Sequence, residues 1–265
     1  MANEKIANET PSTRQLAEEG FVVLHDFMSA PLLDEIRSKI ENMFALEGDQ
    51  AGSEFKQEPG CRRLANLANK DEVFRHLIVV PTALELVGQV LGSKFKLSSL
   101  NARSANPKSS TRQPLHADMG AVADKKGYWV CNSVWMLDDF TPENGAIRMV
   151  PGTHRLARLP EDVLDDPIAP HPQEVLLTGR AGSVAIMNAH MWHGALDNCT
   201  DHPRRALHAF YARWDKPQQQ HQKSLLHDSI QEGLSPELRR VLALDDPLND
   251  ELSGQKGLRR SGFLR

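Results

Sequence analysis

Two side chains that could bind one metal ion stand two positions apart in the run Gln113-Pro114-Leu115-His116-Ala117-Asp118. Successive side chains of a β-strand point to opposite faces, so the His116 imidazole and the Asp118 carboxylate would project side by side. With a second histidine they would form the 2-His-1-carboxylate triad, which holds Fe(II) and leaves its other positions open. Taken alone the pair is weak evidence, because a chain with 11 histidines is expected to contain about 0.7 His-x-Asp triplets by chance.

The best candidate for the third ligand is His193, in the run Met191-Trp192-His193-Gly194. It follows the apolar strand predicted over 183–187, where the mouth of a barrel would lie. His190, three residues earlier, is the alternative. The 77 positions from His116 to His193 leave room for strands that return the chain to the same place. This spacing permits a shared site without proving one.

An arginine adds an anion-binding group to the candidate site. Arg204 lies eleven residues after His193 and begins the predicted strand over 204–211. A guanidinium that points into a barrel is unfavourable unless it meets an anion, and its planar fork suits a carboxylate. The distal carboxylate of 2-oxoglutarate is the anion that we expect to bind there. The simpler alternative is a surface arginine at the end of a strand.

The elements that must position these residues change character near residue 95. Before it, the sequence predicts a short strand over 21–27 and helices over 29–48, 71–79 and 81–91. After it, apolar runs separated by turn residues predict strands over 95–103, 113–118, 129–137, 146–150, 174–177, 183–187 and 205–211. Asn144-Gly145 is the signal of a tight hairpin. The pattern indicates a mainly β fold with flanking helices, a jelly-roll or double-stranded β-helix (cupin-like) barrel.

The whole chain, 1–265, is expected to form one domain, because all-β domains often reach this size. Residues 215–265 lose the strand pattern and become polar, with helical patches over 224–231 and 236–244. They could form a flap, a lid or an oligomer contact, and a solvated tail is equally compatible. The predicted parts are a loose terminus over 1–14, a mainly helical flank over 15–94, the barrel over 95–214 and this C-terminal segment.

Composition and charge exclude several classes of protein. The formal net charge is -4 with acids and bases mixed along the chain, so no positive face for nucleic acid is expected. No apolar run approaches the roughly 20 residues that span a bilayer, and residues 1–14 lack the apolar core of a signal peptide. Cys61, Cys131 and Cys199 are far apart and form no Cys-x-x-Cys pair. These features predict a cytoplasmic protein without a disulfide framework.

A set of motifs in a fixed order is more specific than any one of them. The set consists of His116-x-Asp118, the run WMLDDFTPENGA from Trp135 to Ala146, the run Pro151-Gly152-Thr153-His154-Arg155, and His193 followed by Arg204. On these residues the sequence, over roughly 15–215, resembles the phytanoyl-CoA dioxygenase family of Fe(II)/2-oxoglutarate oxygenases. The resemblance implies a double-stranded β-helix core, iron bound by His116, Asp118 and His193, and the cosubstrate carboxylate bound by Arg204.

The same resemblance implies further residues around the site. Gln113 and Trp135 are candidates for contacts with 2-oxoglutarate, because the family often has a Gln before the first ligand and a Trp on the next strand. Trp135 could instead be a core aromatic. Asn101 and Arg103, on the strand that leads to the metal, could line the pocket or lie on the surface. The family often has Gln between the two ligands where this chain has Ala117, which removes a polar contact.

The implied activity is oxidation of a small molecule with O2 and 2-oxoglutarate, with release of succinate and CO2. A carboxylate at Asp118 favours hydroxylation, because related halogenases have a small residue there that leaves room for chloride. Desaturation, epoxidation and ring formation share the same iron chemistry and stay open. The alternative from another class is a cupin-like metal-binding barrel that works without 2-oxoglutarate, and the cation of Arg204 argues against it.

The sequence gives little information on the identity of the substrate. We expect a small polar metabolite or a natural-product intermediate, with selectivity in loops 104–112 and 119–128 and in the segment after 215. No basic cluster in the sequence suggests a site for the phosphates of coenzyme A. The oligomeric state stays open.

Overall fold

The computed structural model describes residues 10–110 and 112–254, in which an early helical part precedes a part made mostly of strands. The early part consists of α1 (Pro11–Glu19), β1 (Phe21–Leu24), α2 (Ala30–Glu47), β2 (Cys61–Leu64), α3 (Leu67–Lys70), α4 (Glu72–Leu77) and α5 (Pro81–Leu91). The strands that follow are β3 (Phe95–Ala105), β4 (Val130–Met136), β5 (Ile147–Met149), β6 (Val175–Leu177), β7 (Val184–Asn188), β8 (His193–Ala195) and β9 (Arg204–Arg213). Short helices close the described chain: α6 (Gln222–Leu225), α7 (Asp228–Glu232), α8 (Pro236–Leu242) and α9 (Pro247–Ser253).

Local chemistry sets the ends of the early helices. The hydroxyl of Ser29 accepts a hydrogen bond from the amide of Leu32 at the start of α2, which satisfies one free donor of the first turn. Pro81 occupies the first turn of α5, and Gly92, with a φ of 81°, ends it. The helix predicted over 81–91 is therefore confirmed.

The strands form two antiparallel sheets. The larger has the order β1-β7-β4-β9-β3-β2, and the smaller has the order β6-β5-β8. Neighbouring strands that are distant in sequence, such as β4 and β9, are typical of a jelly roll. The predicted fold class is thus confirmed. Among the described residues, however, no strand pairing joins the two sheets into a closed barrel.

Side-chain alternation gives the large sheet a helix-covered face and an inner face. On β4, Trp135 joins the core that the sheet shares with the helices, where Ile36 and Ile40 of α2 are fully buried. Val134 and Met136 point the other way and pack in a second core with residues of the small sheet. The inner face, between the sheets, is where a site can be enclosed.

The strand predicted over 113–118 does not form. His116 makes a single β-bridge with His193, and Asp118 already begins a 3-10 turn over 118–120. Pro114 has no amide hydrogen to donate to a ladder, which disfavours a regular strand. His116 and Asp118 are therefore brought together by a bridge followed by a tight turn.

The hairpin predicted at Asn144-Gly145 is also wrong, because β4 and β5 lie in different sheets. The Asn144 side chain instead closes a local turn, accepting from the amide of Thr141 and donating to the carbonyl of Asp139. Gly145 has a φ of 84°, which favours glycine. The dipeptide marks a turn here but does not pair its flanking strands.

At the N-terminus, α1 already begins at Pro11, so the prediction of a loose segment is wrong from there to residue 14. The hydroxyl of Thr10 caps this helix by accepting from the amide of Thr13. Residues 1–9 lie outside the described residues.

The C-terminal segment packs onto the large sheet, so a solvated tail is excluded for 215–254. Leu238 and Val241 of α8 are buried in the main core. The Gln218 amide donates to the carbonyls of Leu97, on β3, and Leu242. Residues 255–265 lie outside the described residues. No described helix is both long and apolar enough to cross a membrane.

Candidate active site

Three ligand-type side chains converge between the sheets. The Nε2 atoms of His116 and His193 lie 3.8 Å and 3.6 Å from Oδ1 of Asp118, and the three ligand atoms lie within 4.8 Å of one another. The backbone explains this approach. The amides of His116 and His193 each donate to the other residue's carbonyl, at 2.9 Å and 3.0 Å. The bridge sets the two imidazoles side by side, with ring centroids 4.6 Å apart.

Hydrogen bonds on the far side of each ring aim the free nitrogens inward. Nδ1 of His116 lies 2.9 Å from the carbonyl oxygen of Pro114, and Nδ1 of His193 lies 2.8 Å from that of Met191. Since a carbonyl only accepts, each Nδ1 donates and each Nε2 keeps its lone pair for a metal.

The third side chain carries an unsatisfied oxygen. Oδ2 of Asp118 is buried and has no hydrogen-bond partner among the described residues. A buried carboxylate oxygen without a partner is unfavourable, and a cation placed between the three ligand atoms would satisfy it. Two imidazoles and one carboxylate are a donor set that suits Fe(II), so the residues fit this metal.

The protonation states of His116 and Asp118 also suit metal binding. At His193 burial alone would lower the pKa, but the Asp118 carboxylate outweighs it and raises the pKa, and a bound cation would displace that proton. Burial, followed by the neighbouring His193, lowers the pKa of His116 to about 4, so its imidazole is neutral at pH 7. Burial alone would raise the pKa of Asp118, but the two histidines outweigh it and hold the pKa well below its usual range. A neutral imidazole and an ionised carboxylate are the forms that coordinate a metal ion.

A close backbone approach holds the ligand segment in place. Gly194, the residue after the His193 ligand candidate, faces the chain at Gln113 and Pro114. A Cβ at this position would lie 2.9 Å from the carbonyl oxygen of Pro114 and 3.0 Å from that of Gln113. Both neighbours are backbone atoms, so a side chain here must push the ligand segment away.

We expect Gly194→Ala to lower the free energy of unfolding by about 1–3 kcal/mol, the usual range for overpacking. Metal affinity should fall with it, because the displaced segment carries His116. Urea denaturation and calorimetric titration with Fe(II) measure the two effects. Gly233→Ala is the matched control, since its Cβ would meet only the carbonyl oxygen of Ile230, at 3.8 Å. Equal stability of the two variants would contradict the role of Gly194.

A cavity of about 320 Å³ leads from the triad to Arg204. The Arg204 side chain is buried, its Nη2 donates to the carbonyl of Gly145 at 2.7 Å, and its guanidinium lies 4.3 Å from the centroid of the Phe140 ring. Its Nε is buried and has no partner in the described chain. No carboxylate of the described residues forms an ion pair with it, so this buried cation lacks an anion.

Arg205, the next residue along β9, differs from Arg204 in having an internal anionic partner. Arg205 points to the opposite face of β9, where its Nε and Nη2 bind both oxygens of Asp138, at 2.9 Å and 2.7 Å. Burial, followed by the Arg103 charge, lowers the pKa of Arg204 to about 10, while bonds to Asp138 raise the pKa of Arg205. Of these two arginines, Arg204 is the one left to bind an external anion.

The structure places Gln113 at the cavity and Trp135 away from it. Gln113 lines the cavity beside the triad, and its Oε1 accepts from the amide of Ala195 at 3.1 Å. Trp135 lies on the helix-covered face of β4, where it packs against Phe27 and donates to the Ser133 hydroxyl. The prediction that Trp135 contacts 2-oxoglutarate is therefore wrong, because odd-numbered residues of β4 face the helices.

The alternative metal ligand, His190, is also directed elsewhere. Its Nδ1 lies 3.0 Å from Oδ1 of Asn188, and its Nε2 accepts from the amide of Trp129 at 3.4 Å. Both ring nitrogens are thus engaged by groups outside the triad. Burial lowers the pKa of His190 to about 3, so it is a neutral core histidine.

A second, outer cavity of about 870 Å³ adjoins two residues of the triad. Asn101 and Arg103, predicted as pocket or surface residues, both line it, because positions two apart on β3 share a face. Oδ1 of Asn101 is buried without a partner in the described chain. His116 and Asp118 line both cavities, whereas His193 lines only the inner one.

His208 and Asn132 are among the cavity residues that the sequence reasoning missed. His208, on β9, and Asn132, on β4, both line the inner and the outer cavity. Counting by two from Arg204 along its strand would have found His208. Identifying Asn132 requires knowing which face of β4 lines the cavities, and the sequence alone did not indicate this.

Glu58, at the outer cavity, forms ion pairs with three cationic side chains. Burial alone would raise the pKa of Glu58, but Arg103, Arg63 and Lys56 outweigh it and hold the pKa at about 2. A depressed carboxyl pKa stabilises the fold above the unfolded-state pKa, near 4.5, and this contribution is lost as the pH falls through about 2.

We therefore expect the wild type to be more stable than Glu58→Gln at pH 5. This difference in the free energy of unfolding should decrease by about 1–3 kcal/mol between pH 5 and pH 2. Urea denaturation of the metal-free proteins at a series of pH values measures this difference. Parallel stability curves for the two proteins would contradict the proposed ion pairs.

Comparison with known proteins gives a consistent set of relatives. A sequence profile of the family described as Phytanoyl-CoA dioxygenase (PhyH) matches residues 16–206. The dioxygenase af480 of Aspergillus fumigatus is 27% identical over 254 residues, which cover 92% of this chain and 80% of that protein. The Fe(II)/2-oxoglutarate-dependent dioxygenase nvfF of Aspergillus novofumigatus is 27% identical over 208 residues, or 71% of this chain and 66% of that protein.

Solved structures share the fold. HygX from Streptomyces hygroscopicus, determined with nickel, 2-oxoglutarate and hygromycin B bound, aligns with a TM-score of 0.59 at 18% identity. The alignment covers 78% of this chain and 88% of HygX. At this level of identity the likeness concerns the arrangement of the two sheets and their flanking helices.

Proposed function

Because the chain belongs to the phytanoyl-CoA dioxygenase family and is a non-haem Fe(II)/2-oxoglutarate-dependent dioxygenase, we propose that it hydroxylates an unactivated C–H bond of a small molecule. The substrate is a metabolite or a natural-product intermediate, and succinate and CO2 are released with the product. The cofactors are Fe(II), the cosubstrate 2-oxoglutarate and O2. That HygX was determined with hygromycin B bound supports a small-molecule partner.

The observation that carries this proposal is the convergence of unsatisfied ligand atoms in the triad. His116 and His193 would each bind Fe(II) through Nε2, and Asp118 would bind it through its carboxylate. When bound, iron together with the cosubstrate and O2 supplies the oxidising power that breaks the C–H bond. The carboxylate ligand also favours hydroxylation over halogenation, because it fills the place that chloride would need.

The inner cavity is the proposed site of 2-oxoglutarate. Arg204 would bind the distal carboxylate, since its buried guanidinium has a free Nε and no anionic partner in the described chain. Gln113 accepts from the amide of Ala195 through Oε1, which leaves its Nε2 protons for an acceptor in the cavity. Val134 and Met187 form part of the wall, and apolar walls exclude water from the reacting groups.

The outer cavity is the proposed substrate site, and Asn101, Arg103 and His208 would contact the substrate there. A metal-binding barrel that works without 2-oxoglutarate is the competing function. Such a protein has no reason to keep Arg204 buried at the inner cavity without an ion pair among the described residues. A cytoplasmic location stays a prediction from the three dispersed cysteines.

Anaerobic titration with Fe(II), with and without 2-oxoglutarate, tests the function. The expected result is a weak visible charge-transfer band that needs both components and disappears in a His193→Ala variant. A folded, iron-loaded protein that gives no band with 2-oxoglutarate would support the competing barrel instead.

A further inference from the structure

We infer that the substrate carries a carboxylate, which binds to a cluster of cations in the outer cavity. This basic cluster consists of Lys56, Arg63 and Arg103. The inference rests on the proposed function, because it assigns the outer cavity to the substrate. The three cations are dispersed in the sequence, and the fold brings them together.

The cluster is arranged around one acidic residue. Arg63 and Arg103 both place Nη2 2.7 Å from the same oxygen of Glu58, its Oε2. Lys56 binds the other oxygen, Oε1, also at 2.7 Å. Three cations therefore share one carboxylate. Glu161 also lines the outer cavity, but no ion pair joins it to these cations in the part of the chain that the structure describes.

The backbone forces the two arginines together. Arg63 on β2 and Arg103 on β3 are directly paired across the antiparallel ladder. Like charges directly opposite each other destabilise a sheet, so this pair needs compensation by anions. Glu58 compensates one of the two guanidiniums, and no second carboxylate forms an ion pair with the other among the described residues.

The exposed fraction of each cationic side chain indicates how far water can screen its charge. The side chain of Arg63 is only 6% exposed, against 25% for Arg103 and 35% for Lys56. Water can screen Lys56, and Glu58 balances one arginine, which leaves one buried positive charge. Nε of Arg63 is buried and has no hydrogen-bond partner among the described residues. A single negative charge on an oxygen acceptor, a carboxylate, matches this deficit.

The cluster opens on the cavity that holds the metal ligands. Lys56, Arg63 and Arg103 line the outer cavity together with His116 and Asp118. Arg103 and Glu58 also line the inner cavity, whose proposed anion site is Arg204, whereas Lys56 and Arg63 line only the outer one. A carboxylate bound at the cluster would thus hold one end of the substrate while another part of it faces the triad.

The test compares an acid with its neutral amide, using 4-phenylbutyrate and 4-phenylbutyramide as probes. Calorimetric titration of the anaerobic protein with Fe(II) and 2-oxoglutarate should show the acid binding about tenfold or more tightly, the usual gain from hydrogen bonds to a charged group. Arg63→Gln should abolish this preference without changing 2-oxoglutarate affinity. Glu58→Gln should act in the opposite direction and tighten acid binding, because it removes the competing carboxylate.

Arg239→Gln is the matched control, since Arg239, on α8, is bound to Asp245 and lines neither the inner nor the outer cavity. It should keep the preference for the acid. Equal affinities, absence of acid binding, a preference that survives Arg63→Gln, or competition between the acid and 2-oxoglutarate would each overturn the inference. The charge-transfer band is recorded separately. Loss of the band refutes the proposed function, whereas a normal band without acid preference refutes only the assignment of the cluster.

Discussion

Replacing Asp118 with alanine is expected to weaken Fe(II) binding by more than about 100-fold and to abolish formation of succinate. Loss of a group that merely supports a metal ligand costs about 10–100-fold in affinity, and Asp118 would be a ligand itself. It is also the anionic member of the triad, because the two histidines hold its pKa well below the usual range. Anaerobic calorimetry with Fe(II) measures the affinity, and a succinate assay measures turnover.

His190 provides the matched control for this experiment. It is a buried histidine three residues before His193, but Asn188 and Trp129 engage its ring nitrogens. His190→Gln should leave Fe(II) affinity nearly unchanged, whereas His193→Ala should lose it as Asp118→Ala does. Tight iron binding that persists in both Asp118→Ala and His193→Ala would overturn the assignment of the triad.

The sequence led to the polar residues of the site more reliably than to the elements that carry them. His116 and Asp118 were paired by assuming a strand, yet a single bridge and a turn bring them together. The hypothesis survived because a two-residue spacing permits a shared site in more than one backbone conformation. Arg204 was identified because a guanidinium that points into a barrel is unfavourable unless it meets an anion.

Residues whose role depends on a strand's face were harder to predict. Trp135 and Asn132 are both on β4, but the first faces the helices and the second faces the cavities. Which face is inside depends on how β4 pairs with β7 and β9, and these contacts are distant in sequence. The basic cluster was missed for the same reason, since the pairing of β2 with β3 creates it.

Replacing Arg204 with methionine is expected to raise the dissociation constant of 2-oxoglutarate by about 30-fold or more, which corresponds to about 2 kcal/mol. The reason is that the bound carboxylate would lose its buried cationic partner. Fe(II) affinity without the cosubstrate should stay unchanged, because Arg204 touches no member of the triad in the hydrogen bonds that the structure describes. The charge-transfer titration measures the cosubstrate constant directly. An unchanged constant would contradict the assignment of the inner cavity.

Arg205→Met is the matched control for this prediction, because the two arginines are adjacent in sequence but lie on opposite faces of β9. Removing Arg205 leaves Asp138 with only the more distant Arg37, 3.6 Å away, as an ion-pair partner and should destabilise the fold, while 2-oxoglutarate affinity stays as in the wild type. Removing Arg204 takes away a buried charge without an internal anion, so the cosubstrate-free protein should lose little stability. Saturating 2-oxoglutarate, at 100 times its dissociation constant, should stabilise the iron-loaded wild type by about 2.7 kcal/mol. At the same concentration it should stabilise Arg204→Met much less, and this crossed pattern distinguishes a cosubstrate site from general damage to β9.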